Sequence, residues 1–334
     1  MRFREFRINE NTALFEYDSE MSDEELKDLI VNRLRSEEDR SMLDKIYQAL
    51  EQSTLDERIQ DALAEDEDAR TKLEVFAGMI MNTDGTFAEK NDFINNYEYG
   101  YVDTDRLTQM GQVQDFESWI TGNDFVKRVF NNLYTYTPQG IGPGEFALAV
   151  LSPNIASSGR SAELAGDIVI GNDMVEVKAK QQAGGRFFDG RKAKMDQRSV
   201  ERAFNELGID VGKGISGKMW ADKVRPQVPQ DKLEPLVEII IRGAFAFVKL
   251  DEAQTLKTAL MSGNTEQIKQ AWGLLSYENY KRMSKFDSML LLDGPKRHSL
   301  YFKDASTVAD ILKSGMPYVV GPEQQIHPQM AFKI

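Results

Sequence analysis

The stretch from Gly166 to Lys180, GDIVIGNDMVEVKAK, places two carboxylates and two lysines on what reads as one hairpin. Side chains two apart in a strand share a face, so Met174, Glu176, Lys178 and Lys180 point one way and Val175, Val177 and Ala179 the other. In the preceding strand Asp167 and Val169 share a face, and Ile168 and Ile170 take the opposite one. A two-residue turn at Gly171 and Asn172, with glycine first as a type II′ turn requires, pairs Ile170 with Asp173 and sets Asp167 opposite Glu176. Directly opposed residues lie about 4.5–5.5 Å apart at Cβ. Two carboxylates that close repel unless they share a proton or a divalent cation. Magnesium suits the pair, since it takes one or two carboxylates, keeps several waters and accepts a substrate phosphate. Lys178 then stands where it can stabilise negative charge on that phosphate or orient an attacking water, which is the chemistry of phosphodiester hydrolysis.

The elements that must position this hairpin read as follows. GPGEFALAVLSP predicts a short helix stopped by Pro153, and FESWITGNDFVKRVFNNLYTYTP a longer one before it. After the hairpin come helices near SVERAFNELG, at LEPLVEIIIRGAFAFVKL and at NTEQIKQAWGLLSYENYKRM. Strands at DSMLLLD and SLYFKD, joined by GPKRH, and a last helix at STVADILKSG complete the order. Strands interleaved with helices predict an α/β or α+β core over residues 121–334. Residues 22–80 carry apolar positions at helical spacing, with Ser22 and the Ser53–Thr54 pair as start signals, and predict three or four acidic helices after a short strand at Phe3 to Phe15. Residues 81–121, rich in Asn, Asp, Gly and Tyr, read as an irregular connector with its own aromatic packing. Residues 1–120 therefore form a separate acidic, mainly helical domain in this reading.

Charge divides the same way. Residues 1–120 hold 30 acidic and 13 basic side chains and residues 121–334 hold 24 and 28, so the net charge of −13 belongs to the first third. The absence of cysteine excludes disulfides, thiolate zinc sites and a cysteine nucleophile, and two histidines leave little imidazole chemistry. No apolar run approaches the roughly 20 residues that span a bilayer, and the N-terminus lacks the apolar core of a signal peptide, so a cytoplasmic protein without a membrane partner is expected.

Asp167, eight intervening residues, Glu176, one residue and Lys178 together resemble the D-x(n)-E-x-K signature of the PD-(D/E)xK nuclease superfamily, the restriction-endonuclease-like enzymes. The upstream GIGPGEFALAVL resembles the helix that in many members carries one further metal-associated glutamate, here Glu145. Glycine stands at position 166, where many members have proline before the aspartate. The resemblance implies an αβββαβ core and Mg²⁺-dependent cleavage of DNA, with Mn²⁺ as a substitute metal. In it Asp167 and Glu176 are metal ligands, Lys178 is the catalytic lysine and Glu145 an accessory ligand. It covers residues 140–190 well and 280–305 loosely, and leaves residues 1–120 without a counterpart.

Eight basic residues follow the hairpin glutamate within residues 178–202: Lys178, Lys180, Arg186, Arg191, Lys192, Lys194, Arg198 and Arg202. With Gly184, Gly185 and Gly190 among them they read either as a loop hugging a phosphate backbone or as a solvated loop and helix. GKGISGKM at 212–219 approaches the phosphate-binding loop pattern, but Met219 stands where a metal-holding hydroxyl belongs. The opening MRFREF resembles the starts of proteins from large tailed phages. A rival reading is therefore a virion or head-associated structural or DNA-binding protein that keeps the nuclease fold. Its acidic N-terminal helices would serve self-association or docking to a protein partner, or would shield the basic face by mimicking DNA.

Overall fold

The structure, a computed structural model, describes residues 78–80, 82–135, 142–157, 166–180, 196–211, 214–310, 316–320 and 326–329, with Phe332 and Ile334. The strand expected at Phe3 to Phe15 and nearly all of the acidic helices expected over 22–80 lie outside the described residues, as do Arg186, Arg191, Lys192 and Lys194. The fold is mixed α/β, and the chain divides into two compact units, residues 1–107 with 115–172 and residues 108–114 with 173–334.

The first unit contains α1 (Phe87–Asn95) and α2 (Thr104–Leu107). Strand β1 (Val113–Asp115) follows, with its first two residues in the second unit. The first unit resumes with α3 (Phe116–Trp119), α4 (Asp124–Thr135), α5 (Glu145–Val150), β2 (Ile155–Ser157) and β3 (Ile168–Ile170). The connector is thus less irregular than its composition suggests, because α1 starts with a capping box. Glu89 Oε2 accepts from the Thr86 amide at 2.7 Å and Thr86 Oγ1 accepts from the Glu89 amide at 3.3 Å, which satisfies two of the free amides at the helix start. Its aromatic packing is present as expected. Phe93 stacks on Tyr101 at 4.8 Å and meets Phe125 edge-on at 5.8 Å, while Phe116, Trp119, Phe130 and Tyr134 form a second cluster.

The long helix expected from Phe116 is broken in two. Gly122 takes φ 94°, a conformation that L side chains avoid, and Asn123 Oδ1 then accepts from the Val126 amide at 3.2 Å to start α4. A methyl group on Gly122 would stand 2.7 Å from Val126 Cγ2. Gly122→Ala is therefore expected to destabilise the first unit by about 1–2 kcal/mol, read as a lower urea midpoint; an unchanged midpoint would show that the break does not depend on glycine.

The second unit contains β4 (Asp173–Lys180), α6 (Gln197–Glu206), β5 (Gly214–Ile215), α7 (Gln230–Ala244), α8 (Gln254–Ser262) and α9 (Thr265–Ser284). Strands β6 (Ser288–Asp293), β7 (His298–Phe302), β8 (Met316–Val320) and β9 (Ile326–Gln329) follow. β4 runs parallel to β6 with Glu176 beside Met289, Lys178 beside Leu291 and Lys180 beside Asp293. β6 pairs antiparallel with β7, and β1 lies on the far side of β7. β5, β8 and β9 make a separate three-stranded sheet.

Every residue of β6 is buried, and SMLLLD reads as the continuous apolar run that a strand covered on both faces needs. Helix α9 begins where Asn264 Oδ1 accepts from the amides of Glu266 and Gln267, each at 3.1 Å. Its Tyr277, Tyr280 and Met283 pack with Met289 and Leu291 of β6 and Leu300 and Phe302 of β7. Those strand residues share the face that Glu176 and Lys178 occupy, so α9 covers that face. The expected helix over LEPLVEIIIRGAFAFVKL starts earlier, at Gln230, and ends at Ala244, where the Phe245 amide closes the last turn on Ile241 O at 2.9 Å. Its apolar tail is packing rather than helix: Phe245 is buried edge-on against Trp272 at 4.7 Å. No described helix is long and apolar enough to cross a membrane.

Candidate functional site

Glu176 is a carboxylate with 5% exposure in the middle of β4, between the buried Val175 and Val177 of the opposite face. Two groups donate to the same oxygen, Oε1: the Lys178 ammonium from the same face of the strand and the Tyr280 hydroxyl from α9. The Lys178 ammonium also lies 5.2 Å from the centre of the Tyr280 ring. Glu176 Oε2 has no hydrogen-bond partner among the described residues. A buried carboxylate costs much unless it is paired and hydrogen-bonded, and here Lys178 supplies the charge and Tyr280 the second hydrogen bond. The alternation expected from the sequence holds, because Glu176 and Lys178 are neighbours in contact.

The turn before β4 also takes the expected form. Gly171 has φ 60° and Asn172 does not enter the left-handed region, which is the type II′ pattern. Asp167, half-buried, stands directly before β3 after Gly166 at φ 74°. Glu145, also half-buried, is the first residue of α5. Its carboxylate lies over Gly142, where an added Cβ would be 2.2 Å from Oε1. α5 packs on β2, and β2 pairs antiparallel with β3, placing Ile155 beside Ile170 and Ser157 beside Ile168. The glutamate helix and the strand that follows Asp167 are thus parts of one unit, while Glu176 and Lys178 belong to the other.

Lys180, expected to contact DNA, makes an ion pair with Asp293 at 3.1 Å. Asp293 is fully buried at the end of β6, and its other oxygen accepts from the Lys296 amide at 3.3 Å. Arg198 is exposed on α6. In the 212–219 segment Gly214 and Ile215 pair with β8, and the Ser216 hydroxyl caps the Met219 amide at 3.0 Å, so these residues serve the fold locally.

Asp173 opens β4 on the side-chain parity opposite to Glu176. The Lys303 ammonium at 2.6 Å and the Tyr301 hydroxyl at 2.7 Å hold its carboxyl below the usual carboxylate range. Such a group contributes stability that is full above its unfolded value, about 3.9, and is lost as pH falls through the lower folded value. Asp173→Asn is accordingly expected to lower the urea midpoint at pH 7, with the gap to wild type narrowing below about pH 4. A gap that stays constant down to pH 3 would remove Asp173 from the acid response.

Sequence reasoning missed Tyr280 and Asp293. Tyr280 sits in the helical pattern of α9 as an ordinary core aromatic, and its contact with Glu176 spans 104 residues. Asp293 carried a visible signal, a single carboxylate closing the apolar run SMLLL. No group of three or more metal-ligating side chains is found among the described residues. Comparison with protein families, with characterised proteins and with solved structures finds no match for this chain.

Proposed function

We propose that this protein is a metal-dependent nuclease that hydrolyses DNA phosphodiester bonds, of the restriction-endonuclease-like kind. The observation that carries the reading is the Glu176 and Lys178 pair: a buried carboxylate, with one oxygen held by a lysine and a tyrosine and the other without a hydrogen bond among the described residues, on a strand covered by a helix. The element order supports it as well. From Glu145 the described elements run α5, β2, β3, β4, α6, β5, α7, α8, α9 and β6: a helix, three strands, helices interrupted by the short β5, and a strand. Apart from β5, which pairs in the separate three-stranded sheet, and β7 after β6, this order is compatible with the αβββαβ core that the resemblance implies.

The donor set suits a hard cation. Glu176 Oε2 is a carboxylate oxygen without a hydrogen-bond partner among the described residues, and magnesium needs only one or two carboxylates because it keeps its waters. In this reading Asp167 and Glu176 hold Mg²⁺, or Mn²⁺ in its place, and Glu145 assists. When bound, the metal would supply Lewis-acid polarisation of the scissile phosphate and a more acidic water. Lys178 stands beside Glu176 on the strand face, and its ammonium is the group that can meet charge developing on the phosphate. Lys180, Arg186, Arg191, Lys192, Lys194 and Arg198 are the proposed backbone contacts, which makes DNA binding fall steeply with salt.

The test incubates plasmid and single-stranded DNA with the full chain in Mg²⁺, Mn²⁺ and EDTA, beside Asp167→Ala. Cleavage that requires metal, together with loss of both cleavage and Mn²⁺ binding in Asp167→Ala, is the expected result. A folded wild-type protein that cleaves neither DNA in either metal would overturn the proposal, and tight Mn²⁺ binding by Asp167→Ala would overturn the ligand assignment.

A further inference from the structure

We propose that Tyr280 is a positioning residue for this site, acting on the carboxylate through its hydroxyl and on the lysine through its ring. The inference rests on the nuclease reading and names a residue that the D-x(n)-E-x-K pattern does not contain. A glutamate on a strand has three rotatable bonds, and a ligand oxygen that wanders among rotamers binds metal weakly. Tyr280 comes from α9, is 5% exposed, and donates its hydroxyl to Glu176 Oε1. Its ring packs on Phe286 at 5.5 Å within the core cluster that holds α9 on the sheet, so the hydroxyl is anchored by a rigid element rather than by a loop. With Oε1 held, the carboxylate cannot rotate freely, and Oε2 is the oxygen left for a cation. The same ring lies 5.2 Å from the Lys178 ammonium, whose position it biases by cation–π attraction. One side chain therefore sets both members of the Glu176 and Lys178 pair, and two substitutions can separate its two roles.

Tyr280→Phe removes the hydroxyl and keeps the ring. Groups that orient a metal ligand are typically worth 10–100-fold in affinity, so Mn²⁺ binding, followed by titration calorimetry in the absence of DNA, is expected to weaken about 10-fold. Because the ring still faces Lys178, the cleavage rate at saturating metal is expected to stay within about 3-fold of wild type, on the scale of a weak cation–π contact left in place. Tyr280→Leu removes hydroxyl and ring together and is expected to weaken Mn²⁺ to a similar degree and, in addition, to lower the rate at saturating metal. Thermal melts establish that each variant is folded, and the phenylalanine variant keeps the core packing should the leucine variant not fold. Unchanged Mn²⁺ affinity in folded Tyr280→Phe, with a wild type that binds metal and cuts DNA, would overturn the positioning role and leave the nuclease reading standing. A wild type that neither binds Mn²⁺ nor cleaves would overturn both. A loss of rate in Tyr280→Phe that excess metal fails to restore would overturn the assignment of the hydroxyl to the metal-binding arm.

Discussion

Lys178→Ala is expected to lower the single-turnover cleavage rate at saturating Mg²⁺ about 100-fold or more, the scale of losing one donor aimed at developing charge. The ammonium sits on the strand face beside Glu176 and over the Tyr280 ring, so it is held in place before any substrate arrives. Alanine deletes that charge and leaves the Glu176 carboxylate with the Tyr280 hydroxyl alone. The carboxylate remains, and Mn²⁺ binding is therefore expected to survive while the rate falls. That combination distinguishes the lysine from Asp167, whose loss is expected to abolish both. A rate within about threefold of wild type, on the yardstick of 10²–10³ for a true charge-stabilising donor, would remove Lys178 from the chemistry.

The second large effect concerns stability. Lys180→Met is expected to destabilise the second unit by about 3 kcal/mol, the lower end of what breaking one side of a buried ion pair costs. Asp293 is fully buried at the end of β6, and without Lys180 its charge would keep, among the described residues, only the Lys296 amide at 3.3 Å. Adding Asp293→Asn in the same chain removes the stranded charge and is expected to recover most of the loss, which a double-mutant cycle by urea unfolding measures. Additive losses in the double variant would show that the two side chains do not interact. Lys180 thus has a structural task besides its proposed contact with DNA. Loss of cleavage in Lys180→Met is to be read at a temperature where the variant is folded.

Much of the candidate site was legible because strand geometry is local. Alternation with period two places Glu176 and Lys178 on one face and Val175 and Val177 on the other whatever the strand packs against. The Gly171–Asn172 turn follows from glycine at a position of positive φ, and the short helix at Glu145 from an apolar run ended before Pro153. The late strands and most of α9 were read from their apolar patterning. The places where the reading failed are those where a few atoms override a pattern. Gly122 breaks a helix that the apolar spacing would continue, and the Thr86 and Glu89 capping box starts one inside a stretch whose composition suggests a loop.

The sequence by itself determined the composition of the face on which the proposed chemistry would lie: which carboxylate and which lysines share it, and that the turn before it is tight. Only the tertiary structure decided what that face meets. Tyr280 reaches Glu176 across 104 residues and Asp293 reaches Lys180 across 113, and both contacts exist because β6 runs parallel to β4 with α9 laid over them. A parallel pair cannot be joined by a tight turn. Its register is set by the packing of the helices in the crossover, and that information is spread over about a hundred residues rather than written in any one of them.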